Sequence, residues 1–342
     1  MSVWIYVVIL ALLIVLHELG HAWAARRNGI VVEEFGLGLP PKLVTLGRWD
    51  DIEITLNLLP FGGFARLRGE DEDLGEGSFW RASARARATV LFAGPFMNLL
   101  TAVLALTITY SLVVPAGGVW VLDVSPNYPA AAYISPGDLI ESVDGTPVTT
   151  REELVAAIRQ HADTPARLVV RRGNERITLD IQPQIDPDGV PRIGVLLTAR
   201  EPIWRAPYTA VREMGYFLWD MIRLPGRLLA GQIAPAEARP LGPVGIGRLF
   251  VDVVEQQPTP RVRLFTILRL AGIISFALGI TNLLPIPALD GGRLVFVVLE
   301  ILRRGKRVSP AREGLIHLIG MAILLTLMVI VTYYDLRYPP GV

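Results

Sequence analysis

Four stretches of this 342-residue chain are apolar for long enough to cross a bilayer: 3–24, 88–114, a run within 264–289, and 314–334. A spanning helix needs about 20 mostly apolar residues. Inside hydrocarbon every backbone polar group must find its partner within the protein, so helices are the expected frame. Composition agrees. The chain is 51% hydrophobic and 19% charged, against about 45–50% and about 25% in soluble domains. A formal net charge of +1 argues against a nucleic-acid binder, which would carry a basic excess. No basic residue precedes the first run and no small-residue cleavage site closes it. It is therefore expected to be a retained helix rather than a signal peptide.

A fifth segment, 207–231, carries Arg212, Glu213, Asp220, Arg223 and Arg227. Five charges make spanning costly, so an amphipathic helix at the membrane interface is expected, with its aromatic residues at headgroup level. Basic residues set orientation. Arg26 and Arg27 follow the first run, Arg81, Arg85 and Arg87 precede the second, and six Lys or Arg residues lie between the third and fourth, from Arg293 to Arg312. These loops are expected to face the cytoplasm, with both termini and the long 115–263 segment outside; Arg261, Arg263 and Arg269 count against this. Within that segment, 118–199 reads as a soluble α+β domain. GVWVLDV, DLIESV, ARLVV, ERITLDI and PRIGVLL are short strand-like runs. REELVAAIRQ (151–160) has helical spacing, with Thr149 or Thr150 as its cap. Between the first two apolar runs, IEITLNLLPFGGFARL (52–67) alternates and then turns at Pro60, Gly62 and Gly63, which predicts a β-hairpin, either membrane-associated or an ordinary cytoplasmic one.

The chemistry is expected near the end of the first apolar run, in HELGH. His17 and His21 are four residues apart and share a helix face. Two imidazoles so spaced can hold one Zn²⁺, and Glu18 beside them can take a proton from an attacking water. The pattern alone is common, but three such groups inside an apolar helix are not; the competing explanation is a polar contact between spans. With no cysteine and only four histidines in the chain, ligands must come from His, Asp or Glu. A catalytic zinc takes three protein ligands and one open position. His161 lies in the expected external domain. Asp290, in NLLPIPALDGG (282–292), is the better third ligand, since two prolines open the helix there and an acid follows at the same depth as the histidines. His317, at the start of the fourth run, is the other candidate.

These elements together resemble the site-2 protease family of intramembrane zinc metalloproteases: HELGH, then AGPFMN (93–98), then a PDZ-like insert whose most specific part is SPGDLIESVDGTPV, then NLLPIPALDGG. The resemblance covers nearly the whole chain and follows the bacterial branch that cleaves membrane-anchored regulators. It implies an α-helical polytopic membrane protein with four transmembrane helices, a β-hairpin and one inserted PDZ-like domain. The expected segments are 1–114 and 261–342 for the membrane core, 115–200 for the PDZ-like domain and 201–260 for the interfacial helix and linker. It implies His17, His21 and Asp290 as Zn²⁺ ligands and Glu18 as general base. Asn282 would bind substrate backbone, and the 52–67 hairpin, through Ile54 and Leu56, would take the substrate as an added strand. Gly94, Pro95 and Asn98 match the second-span motif, in a packing or a catalytic role. Many relatives carry two PDZ-like domains, and 115–200 has room for one. The expected partners are the lipid bilayer and single-pass membrane proteins, such as a pre-trimmed anti-sigma factor or remnant signal peptides. The expected location is the bacterial inner membrane, with the active site toward the cytoplasm. An inactive PDZ scaffold is the alternative, and a metal-containing transporter a weaker one, since no repeat of spans is visible.

Overall fold

The computed structural model describes residues 2–70, 73–234 and 239–338. Parts of the expected segments, at 71–72, 235–238 and 339–342, lie outside the described residues. Four helices are long and apolar enough to cross a membrane: α1 (Ser2–Arg27), α2 (Ala84–Ile108) with a following π-helical turn (Thr109–Val113), α6 (Pro260–Leu283) and α8 (Pro310–Arg337). In chain order, β1 (Val32–Trp49) and β2 (Ile52–Leu67) precede α2, and β3 to β10 with α3 follow it. Next come α4 (Ala206–Leu229), α5 (Pro243–Glu255) and, after α6, α7 (Asp290–Leu302).

The chain divides into two compact units. One comprises the described residues of Met1–Ala102, Trp219–Val251 and Ala271–Val342. Its packing begins with small residues. A Cβ on Gly20 would lie 2.5 Å from the Ala93 carbonyl oxygen, so α1 and α2 approach backbone to backbone. Ala22, Ala24, Ala25, Val90, Leu91 and Ala93 continue that seam onto Val32, Ile52 and Leu67 of the sheet. At α5, the buried Asp335 of α8 accepts the backbone N–H groups of Gly242 (3.0 Å) and Gly245 (2.8 Å). A carboxylate there satisfies donors that a helix start leaves open and suits the dipole's positive end.

In the sheet, β1 and β2 pair antiparallel, and the register departs from a hairpin over 52–67. Phe35 lies opposite both Ala65 and Ile54, and Gly36 opposite both Phe64 and Thr55. The chain reverses between Leu56 and Gly63, and within that stretch Gly62 has a φ of 84°, which suits a residue without Cβ. Residues 34–37 of β1 thus lie between the two arms of β2. The alternation in IEITLNL marks a strand, but its neighbour comes from upstream, where VEEFGLGLPPKLVTLGRW forms β1.

The second unit comprises Val103–Leu218 and Asp252–Leu270. Its main sheet runs β10-β3-β4-β6-β7, with β5 (Thr146–Pro147) beside β4. Strands β3 (Val119–Val124), β4 (Leu139–Val143), β6 (Ala166–Arg172) and β7 (Glu175–Ile181) fall on the expected runs. The run PRIGVLL is instead divided, into β9 (Pro191–Arg192) and β10 (Val195–Ala199). Gly194 between them has φ 81°, where an added Cβ would meet the Tyr128 side chain. Helix α3 (Arg151–Arg159) starts at Thr150, whose hydroxyl accepts the Glu153 N–H while Glu153 accepts those of Thr149 and Thr150. Those backbone donors, Thr149's first, hold the Glu153 carboxylate below its ordinary range.

Two elements depart from the sequence reading for clear reasons. The third apolar run ends its helix at Leu283, because Pro285 and Pro287 cannot continue the ladder. The run from Arg293, read as part of a loop, belongs to α7, an amphipathic helix of 13 residues. At about 1.5 Å per residue it is too short to span.

Candidate metal centre

His17 and His21 lie one turn apart on α1, both buried. Asp290 opens α7. Its Oδ2 lies 3.2 Å from His17 Nε2 and 3.4 Å from His21 Nε2, and the two Nε2 atoms are 3.1 Å apart. No donor meets the buried Asp290 Oδ2 in hydrogen-bonding geometry. Three electron-pair donors so close, one of them an anionic oxygen, repel unless a cation lies among them. Tetrahedral zinc with bonds near 2.0–2.1 Å sets its ligand atoms about 3.3 Å apart. The observed triangle fits that spacing. Among the described residues these three form the group suited to a metal ion.

The surrounding helices fix each ring. His21 Nδ1 lies 2.8 Å from the Val90 carbonyl oxygen, which leaves Nε2 with its lone pair facing the centre. Gly94 makes room for that ring: a Cβ there would lie 2.6 Å from His21 Cε1 and 2.7 Å from Cδ2. The Asn98 amide lies 3.2 Å from His17 Nδ1. For His17 Nε2 to face a metal, Nδ1 must carry the proton, so the amide oxygen is the atom that belongs there. That orientation also satisfies the Asn98 oxygen, which otherwise has no partner. Asn98 is tied further through its carbonyl, which accepts the Ser275 hydroxyl at 2.8 Å. The Pro95 carbonyl faces Gly279 of α6, where a Cβ would lie 3.1 Å away. The AGPFMN residues therefore divide their work: Gly94 and Asn98 bear on the histidines, and Pro95 on the α2–α6 contact.

Glu18 is the residue next to the pair. Its Oε2 accepts the Ala65 N–H at 3.0 Å. A cavity of about 330 Å³ brings together His17, Glu18, His21, Ala65, Asn282 and Asp290, with room for several waters. Asn282 reaches this cavity while its amide donates to the Leu278 carbonyl at 3.0 Å. Ile54 and Leu56 do not line it. They lie on the arm of β2 beyond β1, and the arm that borders the cavity is 63–67. Alternation alone could not say which arm was inward, because that depends on the intervening strand. The Arg293–Glu70 ion pair also borders the cavity, a feature the sequence reading missed. Its one signal was an arginine placed three residues after Asp290. His317 stands apart from the triangle; its Nδ1 accepts the Ala288 N–H at 2.9 Å.

The model of Peptidase family M50 matches residues 5–327. The chain belongs to peptidase family M50. A Clostridium perfringens protein named as a candidate zinc metalloprotease is 30% identical over 333 residues, covering 96% of each chain. The zinc metalloprotease RasP of Geobacillus kaustophilus is 26% identical over 417 residues, covering 97% of each. The regulator of sigma-W protease RasP of Bacillus subtilis is 25% identical over 421 residues, again covering 97% of each. A solved PDZ domain from an SdrC-like protein of Listeria monocytogenes aligns with 25% of this chain and 92% of that domain, at 30% identity and a TM-score of 0.23. This M50 chain is thus a zinc metalloprotease, its cofactor Zn²⁺, and a membrane protein with four helices apolar enough to span.

Proposed function

We propose that the chain is an intramembrane endopeptidase that cuts the membrane segment of single-pass proteins. His17, His21 and Asp290 hold the zinc and Glu18 is the general base. The observation that carries this reading is the triangle of His17 Nε2, His21 Nε2 and Asp290 Oδ2, with sides of 3.1–3.4 Å, beside Glu18 at a cavity with room for several waters. Zinc held there would supply a Lewis acid for the scissile carbonyl and for water. Glu18 takes the proton of the attacking water and returns it to the departing amide nitrogen. Asn282 faces the same cavity and hydrogen-bonds the substrate backbone. The 63–67 arm, whose Ala65 N–H points at Glu18, takes the substrate as an added strand, so that main-chain pairing supplies affinity with little demand on sequence.

The positive loops support an active site toward the cytoplasm, with the termini and the 115–200 domain outside the inner membrane. That domain, PDZ-like in its motif, filters substrates by the size of their external part. The 201–260 segment, with α4, lies at the interface. The name of the Bacillus subtilis relative supports a membrane-anchored regulator, such as a trimmed anti-sigma factor, as the substrate class; remnant signal peptides are the other class.

Reconstitution in vesicles with a model single-pass substrate tests the reading. Zinc-loaded chain should cut within the membrane segment, faster when that segment contains Gly, which unwinds more easily. Asp290→Ala should lose both zinc and cleavage. Cleavage confined to the extramembrane part, or unaffected by chelation, would overturn it.

A further inference from the structure

Two residues before Asp290 the backbone takes a form that alanine seldom adopts: Ala288 has φ 76°. Such a residue persists only where its surroundings hold it. Here the holding group is on another helix. The Ala288 N–H donates to His317 Nδ1 on α8 at 2.9 Å. One turn further along α8, on the same face, Gly320 is buried against Pro287, and a Cβ there would lie 2.8 Å from the Pro287 carbonyl oxygen. From α7, the Phe296 ring stands 5.4 Å from the His317 ring. Thus α8 meets the two consecutive residues Pro287 and Ala288, one by a small residue and one by a lone pair. The turn they form delivers Asp290 to His17 and His21.

We infer that His317 is a positioning residue for the metal centre: its Nδ1 lone pair fixes the left-handed turn at Ala288 and so aims the Asp290 carboxylate. This rests on the reading of Asp290 as a zinc ligand. Ala288 supplies the proton of this hydrogen bond, so Nδ1 must be the bare nitrogen. A residue that keeps an acceptor at that place should therefore serve, and one without an acceptor should not. In Asn the side-chain oxygen falls where Nδ1 of His lies. Leu has similar bulk and no acceptor.

The test is zinc affinity of the purified full chain, measured against a competing chelator, together with the melting temperature of the chelated chain. His317→Leu should weaken zinc binding about ten- to a hundredfold, the range typical for groups behind metal ligands. His317→Asn should recover most of that loss, with both variants melting alike when zinc is absent. Wild-type affinity in His317→Leu would overturn the inference. So would an Asn variant as weak as the Leu variant, since bulk rather than the acceptor would then matter. Asp290→Ala is the control for the underlying reading: if it keeps wild-type affinity, the ligand assignment fails and the inference with it. If Asp290→Ala loses zinc while His317→Leu does not, the ligand assignment stands and the inference alone fails.

Discussion

Gly94→Ala adds one methyl group beside His21. The new Cβ would lie 2.6 Å from Cε1 and 2.7 Å from Cδ2 of the imidazole. Carbon atoms sit comfortably at about 3.5 Å or more, so ring or helix must retreat by roughly 1 Å. The ring cannot swing freely, because Nδ1 is held by the Val90 carbonyl at 2.8 Å. A metal bond tolerates only about 0.2 Å of error. The substitution should therefore cost His21 its place at the zinc. In helix propensity, Gly→Ala is favourable by about 1 kcal/mol. A weakened α2 thus cannot explain a loss of function. Metal analysis of the purified variant should show zinc far below one per chain, and cleavage should fall by at least about a hundredfold, while helix content by circular dichroism stays unchanged. A Gly94→Ala chain that holds one zinc and cleaves at the normal rate would refute the idea that this glycine exists to seat the ring.

Glu18→Gln should keep one zinc per chain and lose about 10²–10⁴ in turnover, since Gln cannot accept the proton; an active, zinc-loaded Gln variant would remove Glu18 from the chemistry. Asn98→Leu should weaken zinc binding about tenfold or more by taking away the acceptor for the His17 Nδ1 proton; Asn98→Asp, which also accepts, should bind more tightly than the Leu variant, and equal affinities would speak against the orienting role. Glu300→Ala would leave the buried Arg87 guanidinium and Arg307 without the carboxylate they share. A broken buried pair typically costs about 3–5 kcal/mol, so the melting temperature should fall clearly, and an unchanged melt would show that the Ala82 carbonyl suffices for Arg87.

Much of the centre is legible in the sequence because it is local. His17, Glu18 and His21 lie within one helical turn and a half, where periodicity fixes which residues share a face. Asp290 could be argued from two prolines and an acid at matching depth, because Pro285 and Pro287 allow few backbone paths. What could not be read depends on distant partners. The position of residues 34–37 between the arms of β2 depends on register, which alternation within one arm does not encode. It moved the cavity's border from Ile54 and Leu56 to 63–67. The role of Gly94 was equally hidden, since a glycine in an apolar run signals closeness without naming the neighbour. Helix α7 was missed for another reason: Arg293 and the basic residues after its end read as a loop, although Leu294 and Val297 keep the helical spacing that packs one side against the core.

The cost of ionisable groups at this depth explains why the site is assembled as it is. An imidazole in an apolar helix needs both nitrogens answered. In this chain each ring gives one nitrogen to a neighbour on α2, the Val90 carbonyl or the Asn98 amide, and turns the other toward Asp290. Glu18 is answered by a backbone N–H from the sheet. The second helix and the sheet thus satisfy outward-facing atoms, while the inward-facing ones are satisfied only by a cation. The inner atoms, two imidazole nitrogens and a carboxylate oxygen, lie 3.1–3.4 Å apart, a spacing that suits one shared metal ion. Zinc bound among them would lower the cost of keeping these groups buried, so metal loading and stability of the α1–α2–α7 packing are one equilibrium read from two sides.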